Sequence, residues 1–126
     1  MKQEDKDLLI KDLCSRMPYG VKIQILSWDY LNMEYINKAD LLYSINNDNY
    51  IKTSTEDEYY YIEDIKPYLF PLSSMTEEQQ IDLTKFVANG ISGENIVYDW
   101  YNKNHFDYRG LIETGLAIDA TNLNIY

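Results

Sequence analysis

Between Leu8 and Met17 the apolar positions recur three and four residues apart: Leu8, Leu9, Leu13 and Met17, with Asp12 in the same rhythm. That spacing sets Leu9, Leu13 and Met17 on one stripe and predicts a helix over residues 4–16. Pro18 and Gly20 end it, the first by clashing with a continuing helix. Cys14 is expected beside the stripe, as a small core residue. From Gly20 the period becomes two. Val21, Ile23 and Ile25 alternate with Lys22 and Gln24, the pattern of a half-buried strand. The alternation is expected to run on from Tyr30 to Ile36, with Leu31, Met33 and Tyr35 on one face. Further strands are predicted at Leu41–Ile45, Tyr50–Thr53 and Glu58–Ile62. Asn46-Asn47-Asp48-Asn49 separates two of them with turn-forming side chains.

Residues 20–63 therefore read as a β-rich antiparallel meander, which could curl into a small SH3-like barrel. Pro67 and Pro71 forbid a regular helix and break a central strand, so residues 64–73 read as an extended, anchored connector. Residues 74–115 read as helical. Thr76 and Gln79 have capping-box spacing, and Glu77 and Glu78 favour a helix N-terminus. Leu83, Phe86 and Val87 would form the core face of this helix, with Asn89-Gly90 as its stop. A helix over residues 94–104 would turn Ile96, Val97, Trp100 and Tyr101 inward. A short one would run from Asp107, its N-cap, to Thr114, ended by Gly115. The tail is residues 116–126, and after Ala120 it is expected to fray unless Ile125 and Tyr126 dock. The fold class is α+β in one domain over 1–126: an N-terminal helix, the meander, then C-terminal helices.

Composition narrows the setting. Hydrophobic residues make up 45% of the 126 positions, enough for a core. No apolar run approaches the ~20 residues that span a bilayer. The opening Met1-Lys2-Gln3-Glu4-Asp5-Lys6-Asp7 is too charged for a secretory signal. Cys14 is the only cysteine, so no internal disulfide is possible, and a cytoplasmic location is expected.

Charge narrows the partners. The net charge is −10, which disfavours direct binding to nucleic acid and to anionic membranes. Half of it lies in residues 40–66, which carry a net −5, whereas residues 1–22 carry +1. A solvated face explains this, and a docking surface for a basic protein partner is the sharper alternative. Thirteen tyrosines suit either half-buried packing or an interface.

Specific chemistries fail for want of residues. One His and one Cys, far apart, cannot supply a zinc site, so no metal is expected. The stretch from Asn46 to Asp57 lacks the mid-loop Gly and the ligand alternation of a calcium loop. No phosphate loop or dinucleotide fingerprint occurs, and no cofactor is expected. The weak catalytic candidates are His105 as general base, Asp107 or Asp99 to orient it, and Arg109 to hold an anion. A nucleophile would have to come from Ser73, Ser74 or Cys14. Otherwise His105 joins two helices and bonds a backbone carbonyl, and Arg109 pairs with Asp107 or Glu113. The partner-binding candidates are Glu56, Asp57, Glu58, Tyr59, Tyr60, Tyr61, Glu63 and Asp64. On a strand this run leaves tyrosine among carboxylates on whichever face is not core.

Three segments carry a resemblance: residues 13–22 (LCSRMPYGVK), 62–78 (IEDIKPYLFPLSSMTEE) and 104–113 (NHFDYRGLIE). In them the chain is similar to a family of small uncharacterised proteins of gut anaerobic bacteria and their phages or prophages. The resemblance implies a prokaryotic or phage cytosolic setting and carries no catalytic residues. Its variable part, around residues 23–61, coincides with the predicted sheet and the acidic run. The expected function is a non-catalytic, acidic protein-interaction module, phage- or prophage-encoded, that binds a host or phage protein. The alternatives are a small hydrolase or transferase using His105, Asp107 and Arg109, a nucleic-acid mimic acting through residues 40–66, and a structural role in a virion.

Overall fold

A computed structural model describes residues 1–55, 58–90 and 96–126. The helical spacing yields α1, Gln3–Arg16, continued by a 3₁₀ turn over Met17–Tyr19. Gly20 then takes a φ of 77°, left-handed backbone that glycine adopts without a Cβ clash. Leu9 and Leu13 are fully buried, and Met17 packs against the same core. Cys14 does not join them and is exposed. The turns of α1 that carry Leu9 and Leu13 also bury Asp12 and Arg16 completely. The helix is therefore buried on the flank of the stripe that carries Asp12 and Arg16, and the opposite flank, with Cys14, faces out.

The period-two segment is β1, Lys22–Asp29. It pairs antiparallel with β2, Glu34–Ile45, in unbroken register from Lys22↔Leu41 to Asp29↔Glu34. The two strands expected at 30–36 and 41–45 thus merge into one, and Tyr30–Met33 become the turn between β1 and β2. Asp29 drives that reversal: its carboxylate accepts hydrogen bonds from the Leu31 and Asn32 amides and from Asn32 Nδ2. Met33 completes it at a φ of 54°. The meander continues through β3, Ile51–Thr53, and β4, Tyr59–Tyr60. Asn46 Oδ1 closes the preceding turn by accepting from the Asp48 and Tyr50 amides. The strand expected at Glu58–Ile62 is cut short because Ile62–Asp64 wind into a 3₁₀ turn.

The largest departure concerns residues 64–73. They are no connector: Ile65–Pro71 form β5, an interior strand of the sheet. β5 pairs antiparallel with β1 only as far as Pro67. Beyond it, Tyr68 and Leu69 pair parallel with β7, Ile118–Asp119. Phe70 and Pro71 pair parallel with β6, Phe106–Asp107. Each proline, lacking an N–H, therefore stands where one ladder ends. The sheet is mixed, in the order β4-β3-β2-β1-β5-β6 with β7 also on β5. Among the described residues nothing pairs β4 with β6, so the sheet stays open and no barrel forms.

The capping box opens α2, Glu77–Asn89, with both of its arms made. Thr76 Oγ1 accepts from the Gln79 amide, and Gln79 Oε1 accepts from the Thr76 amide. The face expected to be core is not: Leu83 and Phe86 are half covered and Val87 is exposed. α2 lies against α3, Ile96–Lys103, where Asp82 accepts a 2.9 Å hydrogen bond from Trp100 Nε1. Trp100 is buried as expected, and Ile96, Val97 and Tyr101 are half-buried. The start of the helix expected at 94–104 lies outside the described residues.

The short helix expected from Asp107 is absent. Its carboxylate does accept from the Leu111 and Ile112 amides, as a cap would. Gly110, at a φ of 74°, diverts the chain into turns instead. The tail docks through Tyr126. Its hydroxyl donates to Tyr68 O at 2.8 Å and accepts from the Lys22 amide at 2.9 Å. The core thus gathers Leu9 and Leu13 from α1, Val21, Ile23 and Ile25, Leu42, Ile51, Ile65 and Leu69, and Leu111 from the turn after β6. Among the described residues no helix is long and apolar enough to cross a membrane.

Candidate functional site

β5 holds β1 only at Ile23–Ile25, and β3 holds β2 only from Leu42 onward. Among the described residues, the stretches 26–29 and 34–37 pair with nothing but each other. The distal half of the β1–β2 hairpin therefore projects from the sheet. In an antiparallel pair, directly opposed residues share a face, and successive residues alternate. Ile23, Ile25 and Leu42 take the core face. Leu26, Trp28, Tyr35, Leu41 and Tyr43 take the other.

That outer face is apolar and open. Tyr35 is 65% exposed and Tyr43 66%, with Leu26 and Leu41 also exposed. The turn adds Tyr30 at 79%, Leu31 at 93% and Met33 at 70%. Trp28 and Tyr35, opposed across the strands, meet edge to face at 4.8 Å, and Tyr30 adds a third ring 6.4 Å from Trp28. Asp29 stiffens the tip. Its hydrogen bond from the Asn32 side chain, aided by the two amides, holds its carboxyl below the usual carboxylate range. Polar Gln24 and Asn37 share that face, and large apolar side chains exposed together in this way mark interaction sites.

The residues singled out from the sequence do not assemble into one site. Of the acidic run, Glu56 and Asp57 lie outside the described residues. Glu58, Tyr59, Tyr61 and Asp64 are exposed, whereas Tyr60 packs against the core. Glu63 forms a salt bridge with Lys6 of α1, which holds its carboxyl below the usual range. Tyr61 sits edge to face with Tyr50, and Lys52 lies over the Tyr59 ring. Because the strand lasts only two residues before the 3₁₀ turn, the run does not present one flat face.

His105, Asp107 and Arg109 point three ways. His105 stands at a φ of 65° with its ring stacked on Tyr126, centroids 3.7 Å apart. Its main chain makes the hydrogen bonds, accepting from the Phe70 amide and donating to Asn102 O, whereas buried Nδ1 has no partner among the described residues. Burial, then the nearby charges of Arg16 and Lys22, pushes its pKa down to about 4. The carboxylate of Asp107 is taken up by the Leu111 and Ile112 amides. Arg109 pairs with neither Asp107 nor Glu113. It reaches Asp12 Oδ1 at 2.7 Å and Ser15 Oγ at 3.2 Å. No cavity among those found in the described residues is lined by all three. Among the described residues no group of three His, Cys, Asp or Glu is placed to hold a metal ion.

The sequence pointed away from the tip because Leu31, Met33 and Tyr35 alternate like strand residues. The signal that marks a turn there is Asp29 followed three residues later by Asn32, each suited to local hydrogen bonding. No protein-family model matches the chain, and neither a curated protein nor a solved structure matches it.

Proposed function

We propose that this protein is a non-catalytic, acidic protein-interaction module that seizes a basic protein partner with its projecting hairpin. The observation that carries the reading is the exposed apolar side chains of residues 26–43 and the tip, beneath which the stretches 26–29 and 34–37 pair, among the described residues, only with each other. Aromatic and Met side chains at a rigid, exposed tip are the residue types that anchor protein interfaces. The net charge of −10 favours a basic partner and speeds its encounter. The setting we propose is the cytoplasm of a bacterium or phage-infected cell, with the gene phage- or prophage-borne, in keeping with the family resemblance. The acidic run from Glu58 to Asp64 then serves as the charged surround of the contact rather than its centre.

The test compares three immobilised proteins in cell lysate: the wild type, a hairpin variant (Leu31→Ser with Tyr35→Ser), and a charge variant (Glu58→Gln with Asp64→Asn). A protein retained by the wild type, weakened by the charge variant and lost from the hairpin variant supports the reading once the purified pair reproduces it. Equal retention by wild type and hairpin variant overturns it. Self-association of the wild type through the tip would replace the partner with a second copy.

A further inference from the structure

A cleft of about 690 Å³ opens between the C-terminal end of α1 and α3. Lys11, Tyr19, Tyr98, Asp99, Tyr108 and Arg109 line it, with Ser15 and Asn102 deeper between them. The wall behind it carries an unbalanced charge. Asp12, fully buried, accepts from two guanidiniums: Arg16 Nε at 2.8 Å and Arg109 Nη1 at 2.7 Å. One carboxylate cannot neutralise both. Arg16 is itself fully buried, and among the described residues its Nη1 has no hydrogen-bond partner. Lys11 adds a cation at the rim and Asp99 an anion, so three cations face two carboxylates. In a chain of net charge −10, this cleft has an excess of one positive charge.

Its walls are aromatic. Tyr98 and Tyr108 lie against each other with centroids 4.9 Å apart, and Tyr19 and Tyr98 remain exposed. The Arg109 guanidinium carbon lies over Tyr108, 4.6 Å from the ring centroid. It is fixed by Asp12 on one nitrogen and Ser15 on another. A guanidinium has five N–H donors, and these contacts leave several unused. A held, planar, incompletely used fork beside exposed rings is a receptor for an oxyanion joined to a ring.

We propose that this cleft binds a small organic anion bearing an aromatic ring, its oxyanion on Arg109 and Lys11 and its ring against Tyr98 and Tyr19. The single excess charge matches a carboxylate, and a phosphate monoester, which approaches a charge of about −2 at neutral pH, is the more highly charged candidate that Asp99 opposes. This site lies on elements other than the hairpin tip and acts independently of it.

Titration calorimetry with phenyl phosphate, benzoate, phenol and inorganic phosphate tests the assignment. The variants Lys11→Ala and Tyr98→Ala remove exposed side chains, and circular dichroism verifies that each still folds. At least one of phenyl phosphate and benzoate should bind at millimolar concentration or below, and the tighter of the two identifies the anion's source. Phenol and inorganic phosphate should each bind about tenfold more weakly or not at all, and each variant should lose about tenfold in affinity for the better probe. The proposal is overturned if neither ring-bearing anion binds, if phenol or inorganic phosphate matches them, or if both variants bind as the wild type does.

Discussion

The two halves of the β1–β2 hairpin share the same strands and the same unbroken register, yet they have opposite fates. In the proximal half Ile23 and Ile25 are fully buried, because β5 lies alongside and the core lies beneath. In the distal half the same pleat continues, but among the described residues no third strand pairs with it. The sequence follows this change of surroundings. Up to Ile25 the apolar residues occupy odd positions, Val21, Ile23 and Ile25. From Leu26 they shift to even ones, Leu26 and Trp28, without any bulge in the pairing of β1 with β2. The hairpin thus changes its apolar face midway, from one turned to the core to one turned to solvent. The comparison shows that a strand's local pattern states which face is apolar, whereas the neighbours decide whether that face is core or contact surface.

The comparison can be broken most sharply at the charged centre of the proximal region. Asp12→Ala leaves the Arg16 and Arg109 guanidiniums without a counter-charge and should cost about 3–5 kcal/mol, read by urea unfolding. A cost near zero would mean that Asp12 does not bind the two arginines together. Leu69→Ala, at a fully buried position of β5, should cost about 2–5 kcal/mol by the same measurement. If it costs no more than a surface change, Leu69 does not stand in the core.

A third effect is pH-dependent. The folded His105 titrates near about 4, whereas an unfolded imidazole titrates near 6.5. Between those values the unfolded chain binds a proton that the folded one refuses, so stability is full above pH 6.5 and falls as the pH drops toward about 4. His105→Asn tolerates the positive φ and lacks the titrating ring. Its melting temperature should fall less steeply than that of the wild type across this window. Parallel slopes would show that the imidazole is not held neutral by the fold.

The smallest effect belongs to the distal half. Leu31→Ser should change stability by no more than about 0.5 kcal/mol, because the side chain is almost wholly in solvent. The same change should weaken capture of the protein partner. A stability loss comparable to that of Leu69→Ala would mean that the tip packs on something and does not project.

Much of the fold was legible wherever the determining contacts were local. The α1 stripe, the alternation of β1, the Asn46 turn and the Thr76–Gln79 capping box depend on residues a few positions apart, and each formed. Strand β5 was hidden because proline rules describe ladders in general. They do not foresee a strand that changes partners at each proline. The helix expected at 107–114 failed for a related reason. Asp107 supplies a cap, but Gly110 in the left-handed region turns the chain away. Of the candidate sites, the acidic run was visible as composition. The hairpin tip was masked by an alternation that strands and exposed turns can share.

The sequence by itself determined the α+β class, the helix start at the capping box, the alternation that makes a sheet, and an acidic surface. Periodicity, caps and net charge are properties of neighbouring residues or of simple sums, and they need no knowledge of what lies across the fold. Only the tertiary structure decided that Asp12 meets Arg109, 97 positions later, and that Tyr126 closes over Lys22 and Tyr68. It also decided that half a hairpin stands uncovered. Each depends on which distant segments share space, and the burial of charge and of apolar surface is set by that sharing.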